Sequence, residues 1–135
     1  SASTPRLVNI SARATMANDN PLIAGFVVGG TTAKTLLIRA IGPALIPYGV
    51  TAAMPDPYLE IIRSGQSTAS YSNDNWGGST LVTNVGNSVG AFALTDGAGK
   101  DAVLLVTLDP GVYSAKVTGV NNTSGITLVE VYEVP

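Results

Sequence analysis

No apolar or β-branched run in this chain extends beyond about nine residues before Gly, Pro, Asn or Asp interrupts it. That punctuation leaves no room for a membrane-spanning helix, which needs ~20 apolar residues. The longest purely apolar run, Leu22–Val28, is of strand length and is broken by Gly25. Arg6–Ala14 alternates, with Val8, Ile10 and Ala12 on one side and Asn9, Ser11 and Arg13 on the other. This period of two marks a half-buried strand. Ala17-Asn-Asp-Asn-Pro21 then reads as a turn. Leu22–Val28 and Thr35–Ile41 are apolar on both faces, the pattern of strands covered on two sides. Pro43–Val50 has room for a short helical turn only. Tyr58–Arg63 and Ser67–Ser72 read as a strand and its return. Thr80–Phe92 is ambiguous: one helical turn fits around Leu81–Val85, while Gly86 and Gly90 oppose a longer helix. Asp101–Leu108, Val112–Val120 and Ile126–Val134 are strands joined by Asp109-Pro-Gly111 and by Asn121–Gly125. The predicted fold is all-β, a single sandwich or jelly roll of about eight or more short strands with at most one short helical turn.

Charged residues make up 12% of the 135, half the usual share of about 25%. A net charge of −2 supplies no basic excess for phosphate neutralisation, which excludes an electrostatic nucleic-acid binder. A hydrophobic share of 45% excludes disorder. The chain has no Cys and no His, so thiol nucleophiles, Ser-His-Asp catalysis, disulfides and the usual zinc, copper and haem ligands are all missing. Any metal would need oxygen ligands, which means calcium or magnesium. The sequence therefore predicts no catalytic residues, no cofactor apart from a calcium option, and no enzyme.

The candidate motifs are weak. Gly25–Gly30 followed by Lys34-Thr35 lacks the Gly-Lys-Ser/Thr contiguity of a phosphate loop and leads into a strand, so nucleotide binding is rejected. Asp56, Asn73, Asp74, Asn75 and Trp76 would form a calcium or glycan loop; the competing reading is a turn whose Asn and Asp bond their own backbone, with Trp76 in the core. No EF-hand Glu follows. Asp56, Glu60, Asp74, Asp96, Asp101, Glu130 and Glu133 contain no evident glycosidase pair and read as solvated surface charge. A Lys–Asn cross-link at Lys34, Lys100 or Lys116 would require a buried triad that no sequence displays.

Several segments from Asp56 onwards resemble the pre-peptidase C-terminal jelly-roll modules of bacterial secreted enzymes. They are Asp56-Pro-Tyr-Leu-Glu60, Gly65, Asn73-Asp-Asn-Trp76, Leu108-Asp-Pro-Gly111-Val-Tyr113, Val117-Thr-Gly119 and Gly125–Tyr132. The Pro-Gly-x-Tyr turn followed by two strands is the most specific of these. The first half, with Arg6–Arg13, Ile23–Gly30 and Leu37–Pro43, lies outside that family; taken with the second half, nearly the whole chain is similar to a module of exported bacterial surface proteins. The resemblance implies an extracellular sandwich used for attachment, assembly or accessory binding, and it carries no catalytic residue.

The charge deficit and the alternating N-terminal segment together point to a partner. Charged edge strands are a standard defence against strand-to-strand association, and an alternating terminal strand can complete the sheet of a neighbour. The chain is thus expected to form a homopolymer, an extracellular filament or surface array. Residues 1–14 would act as an exchangeable arm and strand and 15–135 as the sandwich, with Leu7, Val8, Ile10 and Ala12 filling the acceptor groove. A monomeric accessory module binding polysaccharide or calcium is the alternative. The Ser-Ala-Ser-Thr-Pro start is what a removed signal peptide would leave, which points to the cell surface.

Overall fold

Side-chain alternation decides where each strand lies. A computed structural model describes residues 9–135, and in it β1 (Asn9–Met16) buries its even-numbered side increasingly towards Met16 while Ser11, Arg13 and Thr15 face solvent. The strand pairs antiparallel with β8 (Gly125–Val134) along its whole length, from Asn9 opposite Tyr132 to Met16 opposite Gly125. The remaining strands are β2 (Leu22–Val28), β3 (Lys34–Ile41), β4 (Pro57–Arg63), β5 (Tyr71–Asn73), β6 (Ala102–Leu108) and β7 (Gly111–Gly119). They form two antiparallel four-stranded sheets, ordered β1-β8-β3-β6 and β2-β7-β4-β5. The architecture is the predicted all-β sandwich, with one 3₁₀ segment at Pro43–Tyr48 and another at Val120–Asn122.

The main core lies between the sheets. Phe26, Val28, Leu36, Ile38, Leu59, Ile61, Ala115, Val117, Val129 and Val131 meet there. Burying a side chain of this size contributes about 1.5–3 kcal/mol. Tyr113 closes one end: its ring stacks on Phe26 at 5.6 Å and its hydroxyl donates to the Asp109 carbonyl at 2.7 Å. The Pro-Gly-x-Tyr sequence thus fixes the β6–β7 turn from below.

The outer face of the β1-β8-β3-β6 sheet carries a third layer. Helix α1 (Thr80–Val89) and Trp76 pack over Leu37, Val103 and Tyr132. This explains why β3 is buried on both faces, as its sequence predicts. The helix is longer than the single turn expected. Ser79 caps its start by accepting from the Val82 N–H, and Gly90 ends it in the left-handed conformation at φ 79°. Val82, Val85 and Val89 supply its apolar stripe, and buried Gly86 lies against Ala91. Packing outweighs the ~1 kcal/mol that glycine costs inside a helix.

Nothing among the described residues covers the outer face of the β2-β7-β4-β5 sheet. The expectation that Leu22–Val28 is covered on both sides is therefore corrected. It is an edge strand in which Ile23, Gly25 and Val27 are exposed and Phe26 and Val28 are buried. The predicted return strand Ser67–Ser72 shrinks to Tyr71–Asn73, because the Ser-Gly-Gln-Ser-Thr segment before it stays exposed and makes only turn contacts. No helix among the described residues is long and apolar enough to cross a membrane.

Candidate functional site

The two lateral sides of the sandwich differ. On one, β5 and β6 are the edges, and the Asn73–Trp76 loop fastens them together. Asn73 Oδ1 accepts from the Val103 N–H at 3.0 Å, and the Trp76 N–H donates to the Asp101 carbonyl at 2.9 Å. Asp101 in turn is buried, its Oδ1 accepting from the N–H groups of Gly42 and Ala44 at 2.8 and 3.2 Å. The Val103 N–H and the Asp101 carbonyl are therefore occupied at the start of β6, where an incoming strand would need them.

On the other side the edges are β1 and β2. β2 contains no charged residue, and its outward side chains Ile23 and Val27 are 58% and 62% exposed. Val27 stands opposite Val112 of β7, itself 53% exposed, and the pair continues the apolar surface onto the uncovered sheet face. Ile23 lies opposite Lys116, and Glu60 of β4 lies opposite Lys116 on its other flank. The β1–β2 corner is fastened by Asn18: its Oδ1 accepts from the Gly119 N–H at 2.7 Å and its Nδ2 donates to the Gly119 carbonyl at 3.1 Å. That amide imitates a strand's donor and acceptor and ties the β1–β2 corner to the end of β7.

Of the proposed assembly residues, Ile10 and Ala12 lie in β1, opposite Val131 and Val129, and Ile10 packs on the core of its own chain. Leu7 and Val8 lie outside the described residues. The boundary drawn between residues 14 and 15 falls inside β1.

The proposed calcium or glycan loop is built inwards. Trp76 is 8% exposed, and its Nε1 donates to the Asp96 carbonyl at 3.0 Å. The indole is therefore part of the wall beneath α1. Asp56 is buried close to Asp74, and Lys100 Nζ lies 3.8 Å from Asp56 Oδ2. Asp56 Oδ1 and Asp74 Oδ1 are both buried without a hydrogen-bond donor. Asn75 is exposed. No group of three or more acidic residues able to hold a metal occurs among the described residues.

The reading of the carboxylates as solvated charge is corrected for Asp56, Asp101, Glu130 and Glu133, which are buried. Strand pairing brings up their partners from distant parts of the chain. Glu130 lies opposite Arg39 across the β3–β8 ladder and accepts from Arg39 Nε at 2.9 Å. No local pattern in the sequence announces this pair.

Burial, and then the neighbouring Asp74 carboxyl, raise the Asp56 pKa above its ordinary 3.8, with Lys100 opposing. The native state therefore holds the Asp56 proton more tightly than the unfolded chain does. The contribution of Asp56 to stability is fully present below the ordinary value and is lost as the pH rises through the raised one. Asp74→Asn should flatten this acid-side slope and raise the melting temperature at neutral pH. Melting curves from pH 3 upwards measure it, and an unchanged slope would remove Asp74 from the coupling.

No family model matches the sequence, and no curated protein matches it. A search of solved structures finds the crystal structure of the pre-peptidase C-terminal domain of collagenase from Bacillus anthracis. The TM-score is 0.55 at 14% identity, with 92% of this chain and 89% of that one covered. The chain has the pre-peptidase C-terminal fold. This agrees with the resemblance of the second half and corrects the expectation that the first half lies outside that fold, since the alignment takes in most of it. On this fold the chain carries an open β2 edge and an uncovered sheet face on which Ile23, Val27 and Val112 stand beside Lys116 and Glu60.

Proposed function

We propose that the protein is a non-enzymatic structural subunit of an extracellular filament or surface array, joined to its own copies by β-strand complementation. The observation that carries this reading is the asymmetry of the edges. The β5–β6 side is fastened by the Asn73–Trp76 loop, whereas the β2 edge is uncharged, apolar and uncovered. An edge of that kind is a template for another strand, and soluble proteins seldom keep one without a use for it. The low overall charge, 12% of residues, removes the usual electrostatic barrier to like–like association. The pre-peptidase C-terminal fold supports an extracellular setting, and the absence of His and Cys supports a role without acid–base or thiol chemistry.

The strand to be donated is narrower than residues 4–14. Freeing Ile10 and Ala12 would break an eight-residue ladder with β8. The segment to be donated is residues 1–8, with Leu7 and Val8, which precede that ladder in the sequence.

Sedimentation velocity and negative-stain microscopy of the full chain across its soluble concentration range test the reading. Species many times the 13.7 kDa monomer are expected, growing with concentration. A disperse monomer at every concentration would overturn it.

A further inference from the structure

We infer that the open edge of β2 is the acceptor site of this assembly, and that its occupant is the segment formed by residues 1–8 of a second copy. This inference rests on the self-assembly reading and adds to it the surface and the strand involved.

The direction of the chain selects the occupant. β1 runs from Asn9 to Met16, the Ala17–Asn20 turn reverses it, and β2 returns from Leu22 to Val28. Asn9 and Val28 are thus at the same end of the sandwich. To lie along its own β2, the segment before Asn9 would have to reverse direction. A copy stacked beyond that end receives the segment without any reversal. Eight residues of extended chain span about 26 Å, enough for the seven of β2, which span about 23 Å.

Side-chain chemistry matches on both faces. β2 offers half-buried Leu22 and Ala24 on its inner side, and exposed Ile23 and Val27, flanked by Val112, on its outer side. An added strand needs apolar side chains pointing both ways, which consecutive residues provide. Leu7 and Val8 are such a pair within residues 1–8. Pro5 is tolerated because the added strand becomes the new edge, where one N–H faces solvent. The contact joins different surfaces of two copies, so it propagates as an open chain unless its rotation closes a ring.

The test compares the full chain, a chain starting at Asn9, and the Ile23→Lys/Val27→Lys variant in the full chain. Both replaced side chains are exposed, so the variant should stay folded and melt only a few degrees below the parent, the difference coming from the lysine placed opposite Lys116. Both altered proteins should raise the concentration needed for assembly by at least about tenfold. A synthetic peptide of residues 1–8 should cap growth of the full chain and should not affect the lysine variant. Three results would overturn the inference: assembly undiminished in the lysine variant, assembly undiminished without residues 1–8, or a closed β2-to-β2 dimer in place of longer species. Each of these leaves self-assembly itself standing, whereas a monomeric full chain would remove the parent reading.

Discussion

Glu130→Ala should lower the stability by about 3–5 kcal/mol, a fall in melting temperature of roughly 10–20 °C. Glu130 is the counter-ion of Arg39, which is only 3% exposed on the outer face of β3. Arg39 donates from Nε to Glu130 Oε1 at 2.9 Å and from Nη1 to the Phe92 carbonyl at 2.7 Å, and its guanidinium stacks 4.5 Å over the Phe92 ring. Tyr132 donates its hydroxyl to Glu130 Oε2 at 2.7 Å. Removing the carboxylate strands a buried positive charge and a phenol at once. Replacing Arg39 and Glu130 together with methionine and leucine should cost far less, because both desolvation penalties disappear with the charges. Urea denaturation of the two single variants and the double variant measures the coupling. Additive losses would show that the pair is not energetically linked. Tyr132 provides a second readout. Burial first, and the Glu130 carboxylate next, push its pKa up from 10.0 to about 12. The native state thus keeps this proton where the unfolded chain loses it, so stability present below pH 10 is lost as the pH rises through 12. In Glu130→Ala that alkaline loss should be smaller.

The sandwich was readable because its strands are short, alternating and separated by turn residues, and that information is local. β1, β3 and the last three strands follow from it directly. What could not be read depends on which strands become neighbours. β2 and β3 have similar apolar sequences, yet β3 is sealed by α1 above and the facing sheet below, while β2 falls at an edge with one face open. Helix α1 was obscured because its own residues argue against it: Gly86 and three valines are poor helix formers, and only the apolar sheet face beneath Val82, Val85 and Val89 makes the helix worthwhile. The buried carboxylates were misjudged for a related reason. Arg39 and Glu130 are 91 positions apart, and only the β3–β8 register makes them a pair. The acceptor edge is the same kind of fact. Composition shows that charge is scarce, and topology shows which uncharged strand lies at an edge with its outward side chains exposed.

Trp76→Ala should destabilise the protein by about 3–5 kcal/mol, the loss typical of truncating a buried aromatic ring. The indole joins Leu37, Val103 and Tyr132 beneath α1, and its Nε1–H donates to the Asp96 carbonyl, tying the loop before the helix to the loop after it. Truncation should therefore loosen the helical layer first, and hydrogen exchange should show protection lost in residues 80–94 before it is lost in β4 or β7. The variant also separates the two roles weighed for this protein. A glycan module reading sugars through Trp76 would lose its function together with the ring. An assembly module working through β2 and residues 1–8 has its contacts on the opposite side of the sandwich, away from the Asn73–Trp76 loop. Held well below its lowered melting temperature, Trp76→Ala should still form long species at nearly the parental concentration. Assembly that disappears while the protein remains folded would place the contact on the α1 side and contradict the β2 edge.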